Sequence, residues 1–245
     1  MLVDPDREVF PCPFVRLVEA FVGFDSKLTD ADHAAILRSV LDADYDVILP
    51  SPDDENAGGE LFSAVRKADL VVVEPENLHI STAKYVRWER FRDVLTELLQ
   101  LVTMGRGIHF VSVLFLDEIR PPSSTDLLGW SEYVNLPTVT REVVLDHVSG
   151  AYGGLVLHLD DNKHINIEWT PTFEPAFEHN HPLHEHYDEP EEGLLAVEWK
   201  GWCRLEGQTS TEVALGELDS LHATIKESFL KVLTPASMKL LRGEP

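Results

Sequence analysis

The chain has 245 residues, 44% hydrophobic and 26% charged, a balance that suits a folded protein with a sizeable core. Its 43 acidic residues against 20 basic ones give a formal net charge of −23. Such a surface repels phosphate backbones and anionic membranes; it suits a basic protein partner or imitates nucleic acid, and its simplest reading is an acidic coat that keeps the protein in solution.

No apolar run approaches the roughly 20 residues that cross a bilayer. The opening stretch MLVDPDREVF has no basic segment followed by an apolar one, so no secretory signal is expected. Cys12 and Cys203 belong to no CxxC pair and build neither a disulfide framework nor a structural zinc site. A reducing cytoplasm is the simplest reading, with Cys203 in WKGWCRL serving as packing.

In chain order, PFVRLVEAFVGF (13–24) predicts a buried strand from its β-branched and aromatic content. TDADHAAILRSVLDA follows as a helix capped by Thr29, with Asp32 at the capping-box position. Ile36, Leu37, Val40 and Leu41 form its apolar face. SPDDENAGGE (51–60) is a polar turn, and LFSAVRKADLVVVEPENLHIS holds two or three short strands. KYVRWERFRDVLTELLQLV predicts a helix with Trp88, Phe91, Leu95, Leu98 and Val102 on one stripe. IHFVSVLFLDEI (108–119) is a strand, and a short helix is expected after Pro122.

The second half reads differently. REVVLDHVSG, GLVLHLD and KHINIEWTP predict consecutive strands with turns at Gly153-Gly154 and Asp161-Asn162. LLAVEWKGWCRLEG is a long strand, and ELDSLHATIKESFLKVL an amphipathic helix with Leu218, Leu221, Ile225, Phe229 and Val232 on its stripe. Thr234-Pro235 opens a last helical turn. The fold class expected is α+β, with two lobes, each an antiparallel sheet packed with one long amphipathic helix. The lobes are 1–138 and 139–245, or one integrated domain.

Four histidines, His179, His181, His184 and His186, crowd into FEHNHPLHEHYDEPEEG. At alternate positions of an extended chain they pair on one face, where imidazoles can hold zinc, nickel or copper. His184-Glu185-His186 opens like HExxH, but Asp188 stands where that motif has its second histidine, and Pro182 and Pro190 oppose the helix it requires. The composition favours an acid-sensitive loop between strands, one that can be shortened without loss of folding. These histidines are the metal candidates if the chain is a metal-dependent hydrolase. Asp160, Asp161, Glu198 and Lys200 offer a thinner, nuclease-like pattern. Against it, Glu and Lys two apart on a strand are ordinary solvent-facing neighbours. Lys84, Arg87, Arg90 and Arg92 could bind a phosphate but are expected to pair with Glu89, Asp93 and nearby acids. No phosphate-loop, dinucleotide or nucleophile-elbow motif occurs, so no cofactor and no catalytic residue is assigned.

PFVRLVEAFVGF, ENLHISTAKYVRWERFRDVLTELLQLV, IHFVSVLFLDEI, WSEYV and LHATIKESFLKVLTPASMKLL follow one another along nearly the whole chain. In that order they resemble a sporadically distributed family of bacterial proteins of about this length whose molecular function is not established. The resemblance implies an accessory or mobile-element role and carries over no catalytic residue. Where that family tends to end its central strand in Y-I-N-R-I, this chain has FLDEI, with Asp117 and Glu118 in place of Asn and Arg. The histidine stretch lies outside the resembling segments. The function expected is a non-enzymatic, cytoplasmic protein-binding accessory, a neutraliser or chaperone-like component of a defence or toxin-type system. Its partner would be a protein with a basic surface, not nucleic acid or membrane. The alternatives are the hydrolase and a nucleic-acid mimic.

Overall fold

A computed structural model describes residues 14–50, 61–102, 106–120, 132–135, 153–172, 182–184 and 194–244. The first half holds β1 (Val15–Phe24), α1 (Asp30–Asp42), β2 (Asp46–Ile48), β3 (Phe62–Arg66), β4 (Asp69–Val73), β5 (Asn77–Thr82), α2 (Trp88–Val102) and β6 (Ile108–Ile119). The second holds β7 (Gly153–Asp160), β8 (Lys163–Thr172), β9 (Leu194–Thr209), α3 (Thr211–Val232) and α4 (Pro235–Leu241). The class is α+β, with helices beside a large antiparallel sheet.

Local chemistry explains several element ends. The Thr29 side chain accepts from the Asp32 amide while the Asp32 carboxylate accepts from the Thr29 amide, a complete capping box for α1. The side chains of Ser210 and Thr234 accept from the Val213 and Ser237 amides and so cap α3 and α4, without the reciprocal half of the box. Arg66 and Asp69 pair across the β3–β4 hairpin, with Lys67 at φ 54° in its turn.

Several expectations need correcting. Leu41 is 53% exposed, so the α1 stripe is narrower than its spacing suggests. Gly153 and Gly154 lie inside β7, not in a turn. The α2 helix starts at Trp88, leaving Lys84 and Arg87 ahead of it. The expected turn at 51–60, the helix after Pro122 and the strand over 141–150 lie outside the described residues.

Among the described residues the strands form one nine-stranded sheet in the order β2-β3-β4-β5-β1-β6-β9-β8-β7. The strands of the first half therefore meet those of the second in one sheet, along the β6–β9 ladder from Ile108↔Thr209 to Ile119↔Leu195, and at the middle of the sheet β1 pairs with β6 from Val15↔Asp117 to Phe24↔Ile108. Outward from this central pair the two sides repeat one plan. The last strand of each side, β5 or β9, returns beside its first, β1 or β6, and runs on to a helix, α2 or α3.

Helix α3 lies on β6 and β9, α2 beside α3, and α1 beside α2. Trp88, Phe91, Leu95 and Leu98 of α2 are buried, as are Leu218, Leu221 and Ile225 of α3. They meet the inward residues of the central strands, among them Val18, Val113 and Trp199. Gly201 lets α3 approach: a Cβ there would stand 3.1 Å from Leu221 and 3.2 Å from Ile225.

At the far edge, a Cβ on Gly153 would collide with the Trp169 indole on the neighbouring strand. The ring covers the glycine as cross-strand aromatics do. Gly153→Ala should therefore cost about 1–3 kcal/mol through displacement of a buried ring. Urea denaturation checks this, and an unchanged midpoint would mean that the ring does not seal the edge.

The other face of the sheet has a smaller apolar cluster, Leu17, Leu70 and Leu183. Leu183 is fully buried and belongs to the histidine-rich stretch. The described part of that stretch, 182–184, is thus anchored to the sheet through Leu183.

Candidate functional site

The strongest chemical pattern lies on the sheet face turned away from α3. Along a strand, side chains alternate between faces, so Val197, Trp199 and Gly201 of β9 look toward the helices while Glu198, Lys200 and Trp202 look away. The outward residues of six neighbouring strands form one row of rings. His79 on β5 lies 6.3 Å from Phe21 on β1, and Phe21 lies 5.7 Å from Phe110 on β6. Phe110 lies 6.3 Å from Trp202 on β9. Trp202 stacks on His164 of β8 at 4.4 Å and 15°, and His164 meets His158 of β7 edge-on at 4.4 Å. The first five rings are half-buried, and His158 is exposed.

Carboxylates border this row. Glu19 Oε2 is 3.4 Å from His79 Nε2. Glu198 stands directly across from Glu168, with Lys200 two residues further on. Burial raises the Glu198 carboxyl; Lys200 opposes the shift, and Glu168 and Glu19 add to it. The face thus combines π-surfaces with acidic groups. It offers stacking, cation–π contact and charge attraction to arginine, lysine and aromatic side chains.

A second polar group is buried under the helices. Asp117, on β6, is 2% exposed. Burial pushes its carboxyl up to about 7, against the Trp199 indole N–H and the Arg16 charge, which both favour the ionised form. The indole faces the carboxyl, but no hydrogen bond of normal geometry joins them, and among the described residues neither Asp117 Oδ1 nor Trp199 Nε1 has a partner. Its neighbour Glu118 points to the opposite face, where Arg120 donates to it at 2.7 and 3.1 Å. Arg16 approaches the same oxygen at 3.5 Å. Arg16 is the extra residue of a β-bulge between Val15 and Leu17, and such bulges re-aim side chains.

Nearby, α2 and α3 are clasped by polar contacts. Trp88 Nε1 donates to Asp219 at 2.7 Å, and Arg92 Nε donates to both Asp219 oxygens at 2.9 Å. Trp88 also stacks on His222 at 4.5 Å and 7°. Burial, aided by Lys226, lowers His222 to about 4, so it is neutral at pH 7. Arg92 is therefore held by a partner on α3, not by the acids of its own helix.

The residues singled out in the sequence are distributed as follows. His179, His181 and His186 lie outside the described residues, and His184 is half-buried next to Leu183. Among the described residues, no three His, Cys, Asp or Glu side chains are placed to hold a metal ion. Asp160 and Asp161 end the β7–β8 hairpin, where Lys163 pairs with Cys203. Glu198 is five residues further along β9, about 16 Å away at strand rise. The nuclease-like set is therefore not assembled. Cys203 is buried, and burial raises its thiol. Among the described residues, no helix is long and apolar enough to cross a membrane.

Sequence reading missed the ring row because its members come from six strands. The available signal was alternation: in KHINIEW, His164, Asn166 and Glu168 alternate with the buried Ile165, Ile167 and Trp169. No protein-family model matches the chain, and no curated protein matches it.

Proposed function

We propose that the chain is a non-enzymatic, cytoplasmic accessory protein that binds another polypeptide through the ring-lined face of its sheet. The observation that carries this reading is the row from His79 to His158, with Glu19, Glu168 and Glu198 along it. Aromatic rings supply contact area at little entropic cost, and they serve as anchors at protein interfaces. The occupant is a segment rich in arginine, lysine and aromatic side chains. The net charge of −23 steers a basic partner toward the surface. The same charge opposes a nucleic-acid strand, which the rings alone would accept. A partner-neutralising or chaperone-like role in a bacterial defence or toxin-type system, within the sporadically distributed family, fits this surface.

The test is selection from a random peptide library on the wild-type protein, followed by affinity measurements. Selected peptides should be basic and aromatic and should bind Trp202→Ala about tenfold or more weakly. Their affinity should fall as salt is raised. Peptides without basic residues, or equal binding to the variant, would overturn the reading.

A further inference from the structure

Lys84, Arg87 and Arg90 line one cleft where β5 leads into α2, together with Thr82, Tyr85 and Phe91. All three cations are exposed. Among the described residues none of them forms an ion pair or a side-chain hydrogen bond, although this chain carries 43 acids to 20 bases. The acids that should neutralise them are otherwise placed or engaged. Asp69, the carboxylate in the cleft wall, accepts from Thr82 Oγ1 at 2.8 Å and lies 3.8 Å from Arg66. Glu89 and Asp93 are exposed on α2 without pairing to the cluster. Arg92, the fourth cation of the run, is turned away to Asp219.

We infer that this cleft is an anion site for a phosphate monoester, carried by a small molecule or by a phosphorylated protein side chain. Three cations match a dianion better than a single carboxylate. The two guanidiniums offer planar forks for phosphate oxygens, and Lys84 adds a point charge. The cleft is small, with room for the charged group itself, while Ile80, Phe91 and Val94 provide an apolar wall for the first atoms of its ester. The −23 charge is no obstacle to such a ligand. Repulsion by distant carboxylates is screened beyond about 8–10 Å, whereas three cations in contact act at close range. A long polyanion would instead meet the rest of the acidic surface.

This site is independent of the ring-lined face, so the two readings fail separately. The experiment is titration with phenyl phosphate, followed by amide chemical shifts and calorimetry. Separate titrations use acetate, a phosphoserine peptide and its unphosphorylated form. The comparison proteins are Arg87→Ala/Arg90→Ala and Arg38→Ala, the latter removing an exposed arginine on α1. Phenyl phosphate should bind wild type and Arg38→Ala alike. Its affinity should fall about tenfold or more in the double variant, the loss of charge-assisted hydrogen bonds, with the circular dichroism spectrum unchanged. Tighter binding of the phosphopeptide than of phenyl phosphate would identify a protein source, and the reverse a small molecule. Absence of binding, equal affinity for acetate, or undiminished binding to the double variant would overturn the proposal. A single Lys84→Ala change, which leaves α2 untouched, supplies the same comparison if the double variant does not fold.

Discussion

Asp117→Asn should stabilise the folded protein at pH 8 by on the order of 4 kcal/mol, an unusual direction for a substitution in a core. The carboxyl is fully enclosed and is pushed from 3.8 to about 7 in the folded state. One pKa unit corresponds to about 1.4 kcal/mol, and the sign follows from proton counting. Between pH 3.8 and about 7 the native state keeps a proton that the unfolded chain has released, so stability falls as pH rises. Above about 7 the whole cost of the buried charge is present. Asn keeps the shape, carries no charge and can accept from the Trp199 indole. Its advantage should therefore shrink to about 2 kcal/mol at pH 5.5.

His222 has the opposite slope. Its folded pKa of about 4 lies below the ordinary 6.5, so its stabilising contribution is complete above pH 6.5 and is lost as pH falls toward 4. In wild type the two slopes largely cancel across this shared window. In Asp117→Asn the histidine's slope is no longer offset by that carboxyl, and stability should climb from pH 4.5 to 6.5 and then level off. Urea denaturation at several pH values measures both curves. A variant that is less stable at pH 8, or a difference from wild type that does not change with pH, would show that Asp117 is not a buried, charge-penalised acid.

Neither group was legible as buried. Asp117 and Glu118 sit near the end of a strand, where a pair of acids reads as an approach to a turn. Their enclosure depends on the β6–β9 register, which brings Trp199 across from Phe115, and on the bulge at Arg16. Both features join residues far apart in sequence. By contrast, the Thr29–Asp32 cap and the Trp88-Phe91-Leu95 stripe were readable, because each is decided within one or two helical turns. The halves of the chain were readable as strands around helices for the same local reason. The pairing of β6 with β9, which makes one sheet of them, was not. The ring row shares this origin: each ring occupies an ordinary outward position, and only the order β5-β1-β6-β9-β8-β7 aligns them.

Leu183→Ala should lower stability by about 2–5 kcal/mol, the range for a leucine removed from a closed site. The residue comes from a stretch whose prolines, histidines and acids suggest little burial. Yet its side chain is fully enclosed, against Leu17, 7% exposed, and Leu70, 6% exposed. Leu17 belongs to β1 and Leu70 to β4. One side chain therefore covers apolar surface on two strands of the sheet face opposite the helices. Without it that surface meets water or leaves a cavity, and either outcome penalises the native state. The consequence for the histidine stretch is specific. Trimming the chain within 185–192 while retaining Pro182 to His184 should preserve the fold, whereas a deletion that includes Leu183 should not. Denaturant midpoints of Leu183→Ala and of the two deletions decide the matter. If Leu183→Ala unfolds at the wild-type midpoint, the stretch is not anchored through this residue, and the Leu17–Leu70 surface is sealed by other means.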